Sequence, residues 1–361
     1  MKTLFVFNHP APYKVHTYNE LSKLTDIQVI FERKKAADRP ASFYQDNKYN
    51  FPHQFLKYGS IAYENNISGA LKRYIKKHHQ EFDVIVMNGY SQIAEMRAIG
   101  YMIKHKIPYV LQINGGVIKK ETSLKKKLKT YYIANAYKYL SPCKDADEYL
   151  IYYGAKKEDI YHYPYGNYFN NEVLDSSLSS KEKNMIREKY NLPQGILFVN
   201  ASQFIERKNN IQLIKLFKNR PEHLLLIGSG KDKDKYLQFI EEEKINNVIL
   251  MDFKEKHELF EILRGCDCFI TLSKQDIFGH TTLEAMVNGL PVISSDRVIS
   301  SRDIIVNGEN GYLVSLDDEK QIIFAIDNYQ KLSSEKAIDA SRRNTIENSA
   351  LAIYKILEGI R

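Results

Sequence analysis

The chain has 361 residues, of which 43% are hydrophobic and 27% are charged, close to the average for globular proteins. This composition excludes global disorder, and no apolar run approaches the roughly 20 residues that a membrane-spanning helix needs. The length suits two domains or one large α/β unit. The apolar run at residues 4–7 is too short for the core of a signal peptide, so we expect a buried first strand in a cytoplasmic protein.

The net excess of positive charge is confined to the first half of the chain. The formal net charge is +8. Residues 1–180 contain 26 Lys and Arg against 17 Asp and Glu, whereas residues 181–361 contain 26 against 27. A basic half of this kind suits an anionic partner such as a lipid headgroup, a diphosphate or a nucleic acid.

Short apolar runs alternate with helical patterns through both halves. In the first half, strands are predicted at residues 3–7, 27–31, 84–87 and 109–113, and helices at 17–24, 69–78 and 91–105. In the second half, strands are predicted at 196–200, 224–227, 248–251, 268–272 and 291–294, and helices at 209–217, 233–243, 257–264, 281–288 and 346–357. Continuous apolar strands separated by helices are typical of parallel sheets that are covered on both faces. The pattern predicts two doubly wound α/β domains.

The polar, Ser-rich segment at residues 170–191 separates the two series of elements. We assign residues 1–172 to an N-terminal Rossmann-like domain and residues 190–344 to a C-terminal Rossmann-like domain. Residues 173–189 are the predicted linker. The C-terminal helix, within residues 345–361, is expected to pack back on the first domain.

The most informative stretch is residues 273–296, SKQDIFGHTTLEAMVNGLPVISSD, which follows an apolar strand. In α/β sheets, ligands bind where strand C-termini meet helix N-termini. Gly279 lets the backbone approach a ligand closely, and Thr281 or Thr282 is expected to cap a helix that carries Glu284 in its first turns.

The start of this predicted helix suits a negatively charged, hydroxyl-rich ligand. Its free amides and its dipole favour an anion such as a diphosphate. The carboxylate of Glu284 can accept two hydrogen bonds from hydroxyls of the kind that a ribose offers. Asp276, seven intervening residues earlier, is expected to bind sugar hydroxyls. The spacing therefore predicts a nucleotide-sugar site.

These residues resemble the acid-x7-acid signature of family 4 retaining glycosyltransferases of the GT-B fold, with Asp276 in place of the more usual first Glu. Residues 202–209 (SQFIERKN) resemble the phosphate-binding segment of that family, and residues 226–230 (LIGSG) resemble its next strand and glycine turn. Residues 248–253 resemble its strand and loop near the base, and residues 307–314 resemble its late turn and strand. The likeness is specific over about residues 195–320 and weaker over residues 1–170.

The resemblance implies a GT-B architecture, in which two doubly wound Rossmann-like domains face a central cleft. It implies a retaining, metal-independent hexosyltransferase that moves a sugar from a nucleoside diphosphate sugar, with UDP as the expected carrier, to an acceptor hydroxyl. The expected acceptor is a lipid-linked saccharide in surface polysaccharide synthesis. The residues implied for catalysis are Lys208, Arg207, Asp276 and Glu284. The residues implied for donor binding are Gln203, Phe253, Phe278, Gly279, His280, Thr281, Thr282 and Glu284.

The acceptor side is implied by a weaker likeness. Residues 9–14 match a variant of the family's amino-terminal loop that lacks the glycine pair. The residues implied on the acceptor side are Pro12, Tyr13, Asn114, Gly115 and Gly116. Two departures stand out, because Gln203 replaces a frequent Arg and Asn114 stands where many members carry His.

A basic, aromatic segment has two interpretations, and the sequence leaves both open. Residues 119–129 (KKETSLKKKLK) are rich in Lys, and Leu124, Leu128, Tyr131 and Tyr132 are expected to share one helix face. Such a face suits peripheral docking on an anionic membrane. The alternative is an internal helix whose solvent face is rich in lysine.

We expect no metal ion and no cofactor. The three cysteines, Cys143, Cys266 and Cys268, lack the spacing of a zinc site and are interpreted as reduced thiols packed near a strand. Asp145 and Asp147 match the letters of a D-x-D metal motif, but they lie at a predicted helix start rather than at a strand end.

Three other classes of function remain as alternatives. The first is a sugar-nucleotide epimerase of the same fold, and the second is a basic protein that binds nucleic acid or a membrane surface. The near-neutral second half and the lack of a recognisable nucleic-acid-binding motif argue against nucleic acid. The third is a non-catalytic partner subunit, against which the presence of Lys208 and Glu284 argues.

Overall fold

The computed structural model describes residues 1–36, 41–45, 47–56, 60–62, 65–66 and 69–360. The chain divides into two compact units. The first unit comprises Met1–Asn167 together with Asn344–Arg361, and the second comprises Tyr168–Arg343. Each unit is an α/β layer structure built on a parallel sheet, which confirms the predicted fold class.

The elements of the first unit alternate in chain order. They are β1 (Lys2–Phe7), α1 (Pro12–Ser22), β2 (Asp26–Phe31), β3 (His53–Phe55), β4 (Ser60–Ala62), β5 (Asn65–Asn66), α2 (Ala70–His78), β6 (Val84–Met87), α3 (Ile93–Lys104), β7 (Val110–Gln112), α4 (Ser123–Ala134), β8 (Lys138–Ser141), α5 (Lys144–Tyr152) and β9 (Ile160–His162).

The main sheet of the first unit has the strand order β3-β2-β1-β6-β7-β8-β9 among the described residues, with every neighbouring pair parallel. The interior strand β1 pairs with β2 and β6, and Leu4, Phe5 and Val6 are fully buried. A strand covered on both faces has to be apolar along its length, which explains the run of apolar residues near the start of the chain. The short strands β4 and β5 form a separate antiparallel pair.

The elements of the second unit repeat this alternation. They are α6 (Ser180–Lys189), β10 (Leu197–Ala201), α7 (Asn210–Phe217), β11 (His223–Ile227), α8 (Lys233–Glu242), β12 (Val248–Met251), α9 (Lys256–Arg264), β13 (Cys268–Thr271), α10 (His280–Val287), β14 (Val292–Ser295), α11 (Ile299–Ile304), β15 (Gly311–Val314), α12 (Glu319–Asp327) and α13 (Ser334–Ser341). The chain then returns to the first unit, where α14 (Ile346–Gly359) packs against α1.

The sheet of the second unit contains one reversal of strand order. Its order is β12-β11-β10-β13-β14-β15, and all of its pairs are parallel. The strand order reverses beside β10, because β11 lies on one side of it and β13 lies on the other. In such sheets the ligand site lies at the carboxyl ends of the strands at this reversal. The segments that follow β10 and β13 therefore meet at one edge.

The segment at residues 173–189, expected to be a linker, contains α6 and belongs to the second unit. The helix starts at a capping box, in which Ser179 bonds to the backbone of Glu182 and Glu182 bonds back. Its buried Arg187 donates hydrogen bonds to the carbonyl oxygens of Gly265 and Gly195 and pairs with Asp267 at 2.7 Å. These bonds fix the segment to the rest of the second unit.

The described residues contain no helix that is both long enough and apolar enough to cross a bilayer. The three cysteines are free and buried, as expected, and Cys268 is the first residue of β13.

Candidate active site

Two strand-end segments of the second unit contact each other directly. One follows β10 and ends in a short 3-10 turn, Glu206–Lys208, and the other joins β13 to α10. The backbone N–H of Lys274 donates to the carbonyl oxygen of Arg207 at 2.9 Å. The guanidinium Nη1 of Arg207 donates in return to the carbonyl oxygen of Gln275 at 2.7 Å. The fold thus brings the cationic segment against the acidic loop, as the topology requires.

The centre of this contact is an ion-pair cluster around Asp276. One carboxylate oxygen, Oδ2, accepts a hydrogen bond from the ammonium of Lys208, and the other, Oδ1, lies 3.6 Å from Nη1 of Arg207. Lys208 is only 8% exposed, and Asn209 closes its turn in a left-handed conformation with φ of 59°. The carboxylate expected to bind sugar hydroxyls is therefore engaged by the two cations expected to hold the diphosphate.

The start of α10 depends on a glycine. Gly279 has φ of 89°, and a Cβ there would lie 2.4 Å from Cγ1 of Val298. Ser300 holds the loop with two hydrogen bonds. Its backbone N–H donates to the carbonyl oxygen of Phe278 at 2.8 Å, and its hydroxyl donates to the carbonyl oxygen of Gly279 at 3.1 Å. Only a residue without a side chain fits this path.

The prediction that Thr281 or Thr282 caps this helix is wrong. The helix begins at His280, so the cap position falls on Gly279, and within the described residues no side chain bonds to the helix start there. Thr282 is instead fully buried, with its hydroxyl 3.1 Å from that of Ser301. Gly279 has no side chain with which to cap the helix, and the N–H of Thr282 donates to the carbonyl oxygen of Gly279 at 3.1 Å.

Glu284 lies one turn into α10 and is partly buried. Its carboxylate interacts electrostatically with Tyr168. The hydroxyl of Tyr168 donates to the carbonyl oxygen of Ser341 at 2.8 Å. Burial raises the pKa of Tyr168 well above its ordinary value, the bond to Ser341 opposes that shift, and the Glu284 charge adds to it. The sequence did not mark Tyr168, because its place beside α10 comes from the tertiary fold.

The other predicted donor residues lie on the loops around this edge. Phe278 is buried, with its ring 4.9 Å from that of His280. Phe253 follows β12 and is 51% exposed, and Gln203 is half-buried in the segment after β10. Thr281 is half-buried in the first turn of α10. The structure thus brings Arg207, Lys208 and Asp276 into direct contact.

Gly228 and Gly230, which the sequence indicated only as part of a glycine turn, have a clear steric role. A Cβ on Gly228 would lie 1.9 Å from the carbonyl oxygen of Ser202, and one on Gly230 would lie 2.4 Å from that of Phe204. Both glycines also have positive φ, at 157° and 152°. The turn after β11 therefore packs directly on the segment that leads to Arg207 and Lys208, which neither glycine alone suggests in the sequence.

The predicted acceptor residues follow two strands of the first sheet: Pro12 and Tyr13 lie at the start of α1, and Asn114, Gly115 and Gly116 lie in the loop after β7. Pro12 is the first residue of α1, and Tyr13 packs edge-on against Tyr165 with ring centroids 5.9 Å apart. Gly115 has φ of 131°, and a Cβ on Gly116 would lie 2.4 Å from the Tyr149 ring.

Asn114, in the same loop as those glycines, carries a buried Oδ1 that has no hydrogen-bond partner within the part of the chain that the structure describes. Such an acceptor suits a hydroxyl or amide donor of a ligand.

A buried lysine in the first unit was not predicted. Lys14 is 2% exposed, and its ammonium donates to Oδ1 of Asn88 at 3.3 Å. It also lies 5.3, 5.9 and 5.1 Å from the ring centroids of Phe7, Tyr163 and Tyr165. Burial lowers the pKa of Lys14 to about 7. Lysine is rarely buried, so a sequence pattern gives no signal for this position.

Within the described ranges, no group of three or more His, Cys, Asp or Glu side chains is arranged to hold a metal ion. Metal independence of the reaction stays a prediction.

Both units are Rossmann-like, and in the second unit Arg207, Lys208 and the start of α10 lie at the strand reversal. Residues 182–350 match the family described as Glycosyl transferases group 1. This part of the chain is therefore similar to that family.

The chain is similar to a poly(glycerol-phosphate) alpha-glucosyltransferase of Bacillus subtilis (strain 168), with 30% identity over 207 residues. That alignment covers 53% of this chain and only 30% of the relative, so the chain spans less than a third of that protein. An uncharacterized glycosyltransferase of Methanocaldococcus jannaschii is 26% identical over 359 residues, which cover 95% of this chain and 93% of the relative.

Among solved structures, the Anabaena protein Alr3699/HepE in complex with UDP superposes with a TM-score of 0.79 at 16% identity. The superposition covers 99% of this chain and 100% of that one. This likeness establishes the fold, which is that of GT-B structures.

Proposed function

We propose that the protein is a retaining glycosyltransferase that transfers a hexose from a UDP-sugar to an acceptor hydroxyl. The observation that carries this proposal is the contact between the Arg207–Lys208 turn and the loop before α10. Arg and Lys side chains and free helix amides are the groups that bind diphosphates in proteins. The match of residues 182–350 to a glycosyl transferase family supports the same reaction class.

Catalysis in this proposal is mostly positioning and stabilisation of the leaving group. The diphosphate gains negative charge as the bond to the sugar breaks. Lys208, Arg207 and the first amides of α10 stabilise that charge without a metal ion or a cofactor. Glu284 accepts hydrogen bonds from the ribose hydroxyls. The family resemblance implies front-side attack, in which the leaving phosphate helps to take the proton from the acceptor.

We propose a lipid-linked saccharide as the acceptor, bound by the basic first unit of a cytoplasmic protein that works in surface polysaccharide synthesis. On α4, Leu124 is 77% exposed, Leu128 43% and Tyr131 44%, beside the lysines of residues 119–129. Exposed apolar and aromatic groups among cations suit peripheral contact with an anionic membrane. The alternative is an internal helix whose solvent face is rich in lysine.

The test is a thermal unfolding series with UDP, GDP, ADP and a panel of UDP-sugars, followed by product analysis with a lipid-linked acceptor. A ligand that binds only the folded state raises its stability by mass action. We expect UDP and at least one UDP-sugar to raise the melting temperature, and we expect sugar to move only when acceptor is present. Epimerised donor formed without acceptor would favour the epimerase, and no shift with any nucleotide would refute the proposal.

A further inference from the structure

The side chain of Asp276 makes ion pairs that its expected role does not require. Among the described residues, its carboxylate pairs with the ammonium of Lys208 and with the guanidinium of Arg207. Its side chain is 16% exposed and that of Lys208 is 10% exposed, so solvent screens this pair only in part. A carboxylate that served only to accept sugar hydroxyls would not need to lie against both cations.

The backbone holds Asp276 in this position independently of its side chain. The N–H of Asp276 donates to the carbonyl oxygen of Arg297 at 3.0 Å, and its own carbonyl oxygen accepts from the N–H of Ile299 at 3.4 Å. These bonds form a parallel bridge between Asp276 and Val298. These backbone bonds hold the loop without using the Asp276 side chain, so a substitution of that side chain should leave the loop in place.

Lys208 also needs a negative partner in the absence of substrate, whereas the side chain of Arg207 is 42% exposed. A mostly buried ammonium without a counter-charge is costly, and Asp276 supplies that charge. A diphosphate offers the same kind of partner, since its anionic oxygens accept hydrogen bonds from Lys and Arg. Carboxylate and diphosphate must therefore share, or compete for, the same hydrogen-bond donors.

We infer that Asp276 is an internal counter-ion that holds Lys208 and Arg207 when the donor site is empty and competes with the donor diphosphate for them. It is a positioning residue for the diphosphate-binding cations and not a ligand of the sugar. This inference rests on the proposed function, because it assumes that these cations bind a nucleoside diphosphate.

The two roles of Asp276 predict opposite effects of removing its charge. Asp276→Asn keeps the size of the side chain and removes the negative charge. If Asp276 is a counter-ion, the variant binds UDP about fivefold more tightly, because a negative charge close to the negative diphosphate is removed. UDP-glucose gains by a similar factor, because it carries the same diphosphate. For a sugar ligand, UDP binding stays unchanged and UDP-glucose binding weakens.

The experiment is calorimetric titration of UDP and UDP-glucose into the full chain at low and at high salt. The variants are Asp276→Asn, Asp276→Glu and a matched control, Asp317→Asn. Asp317 forms an exposed ion pair with Arg297 at 2.7 Å, so its variant makes the same chemical change in the neighbouring segment. We expect tighter UDP binding in Asp276→Asn alone, with a gain that shrinks at high salt. Asp276→Glu, which keeps the charge, and Asp317→Asn should retain the wild-type affinity.

The outcomes separate the inference from the proposed function. If wild type binds UDP and Asp276→Asn binds it equally or more weakly, the counter-ion role is refuted. A loss confined to UDP-glucose would assign Asp276 to the sugar. If wild type binds no UDP, the proposed function fails and the inference fails with it. Melting temperatures without ligand check folding, and Asp276→Ser, which also removes the charge, repeats the test if the Asn variant does not fold.

Discussion

Replacing Lys14 by methionine should stabilise the first unit, and the gain should depend on pH. The pKa of Lys14 falls from an ordinary value of 10.5 to about 7 because the ammonium is buried. The unfolded chain keeps the proton up to about pH 10.5, whereas the native protein releases it from about pH 7. The unfolded state therefore binds more protons between these limits, and wild-type stability rises with pH across that window.

The size of this effect follows from two opposing contributions. A difference of that size between the two pKa values corresponds to about 4–5 kcal/mol of destabilisation at pH 7 and below. Attraction of the ammonium to the rings of Phe7, Tyr163 and Tyr165 offsets about 2 kcal/mol of this destabilisation. Lys14→Met, which fills the same space with an unbranched apolar chain, should raise the free energy of unfolding by about 2–3 kcal/mol at pH 7.

The assay is denaturant unfolding of wild type and Lys14→Met at pH 6.5, 7.5, 8.5 and 9.5, followed by circular dichroism. The advantage of the variant should shrink steadily as the pH rises. Lys104→Met, which alters an exposed lysine of α3, is the control and should show no such trend. A difference between variant and wild type that stays constant with pH would refute the reasoning. A loss of stability in Lys14→Met at pH 7 would also refute it, because the ring contacts would then outweigh burial.

Further predictions concern the donor site and the basic helix. Glu284→Ala should chiefly raise the donor KM, whereas Lys208→Ala should chiefly lower kcat, by about 100-fold or more, in a transfer assay; wild-type transfer by both variants would contradict the assignment. Gly279→Ala should cost about 1–3 kcal/mol in unfolding experiments, because a Cβ meets Val298, and should weaken UDP binding; an unchanged melting curve would contradict it. Leu124→Asp should reduce sedimentation with vesicles that contain anionic lipid and leave UDP affinity unchanged; equal sedimentation would exclude α4 from membrane contact.

Several strands of both sheets were predictable from the sequence because each is a run of apolar residues. Val84–Met87 and Val248–Met251 match their predicted bounds, and Leu197–Ala201 is displaced by one residue. The strands Lys138–Ser141 and Ile160–His162 were missed because KYLS and IYH are short and partly polar. Their strand character comes from pairing with the sheet rather than from composition.

The sequence predicted which residues belong to the candidate site, but not the contacts between them. The resemblance marked Lys208 and Asp276, but not the ion pair between them, because the two residues are 68 positions apart and meet only through the strand order. The cap at Thr281 or Thr282 was mispredicted because the helix starts earlier, at His280, where a glycine with positive φ replaces a side-chain cap. The close approach of Gly228 to Ser202 likewise exists only in the folded sheet.

The most direct test of the central claim is a crystal structure of the protein grown with UDP. The account predicts diphosphate oxygens within hydrogen-bond distance of Arg207 and Lys208 and of the first backbone amides of α10, with the ribose beside Glu284. A nucleotide bound at any other place in the second unit, with those amides and cations untouched, would contradict it.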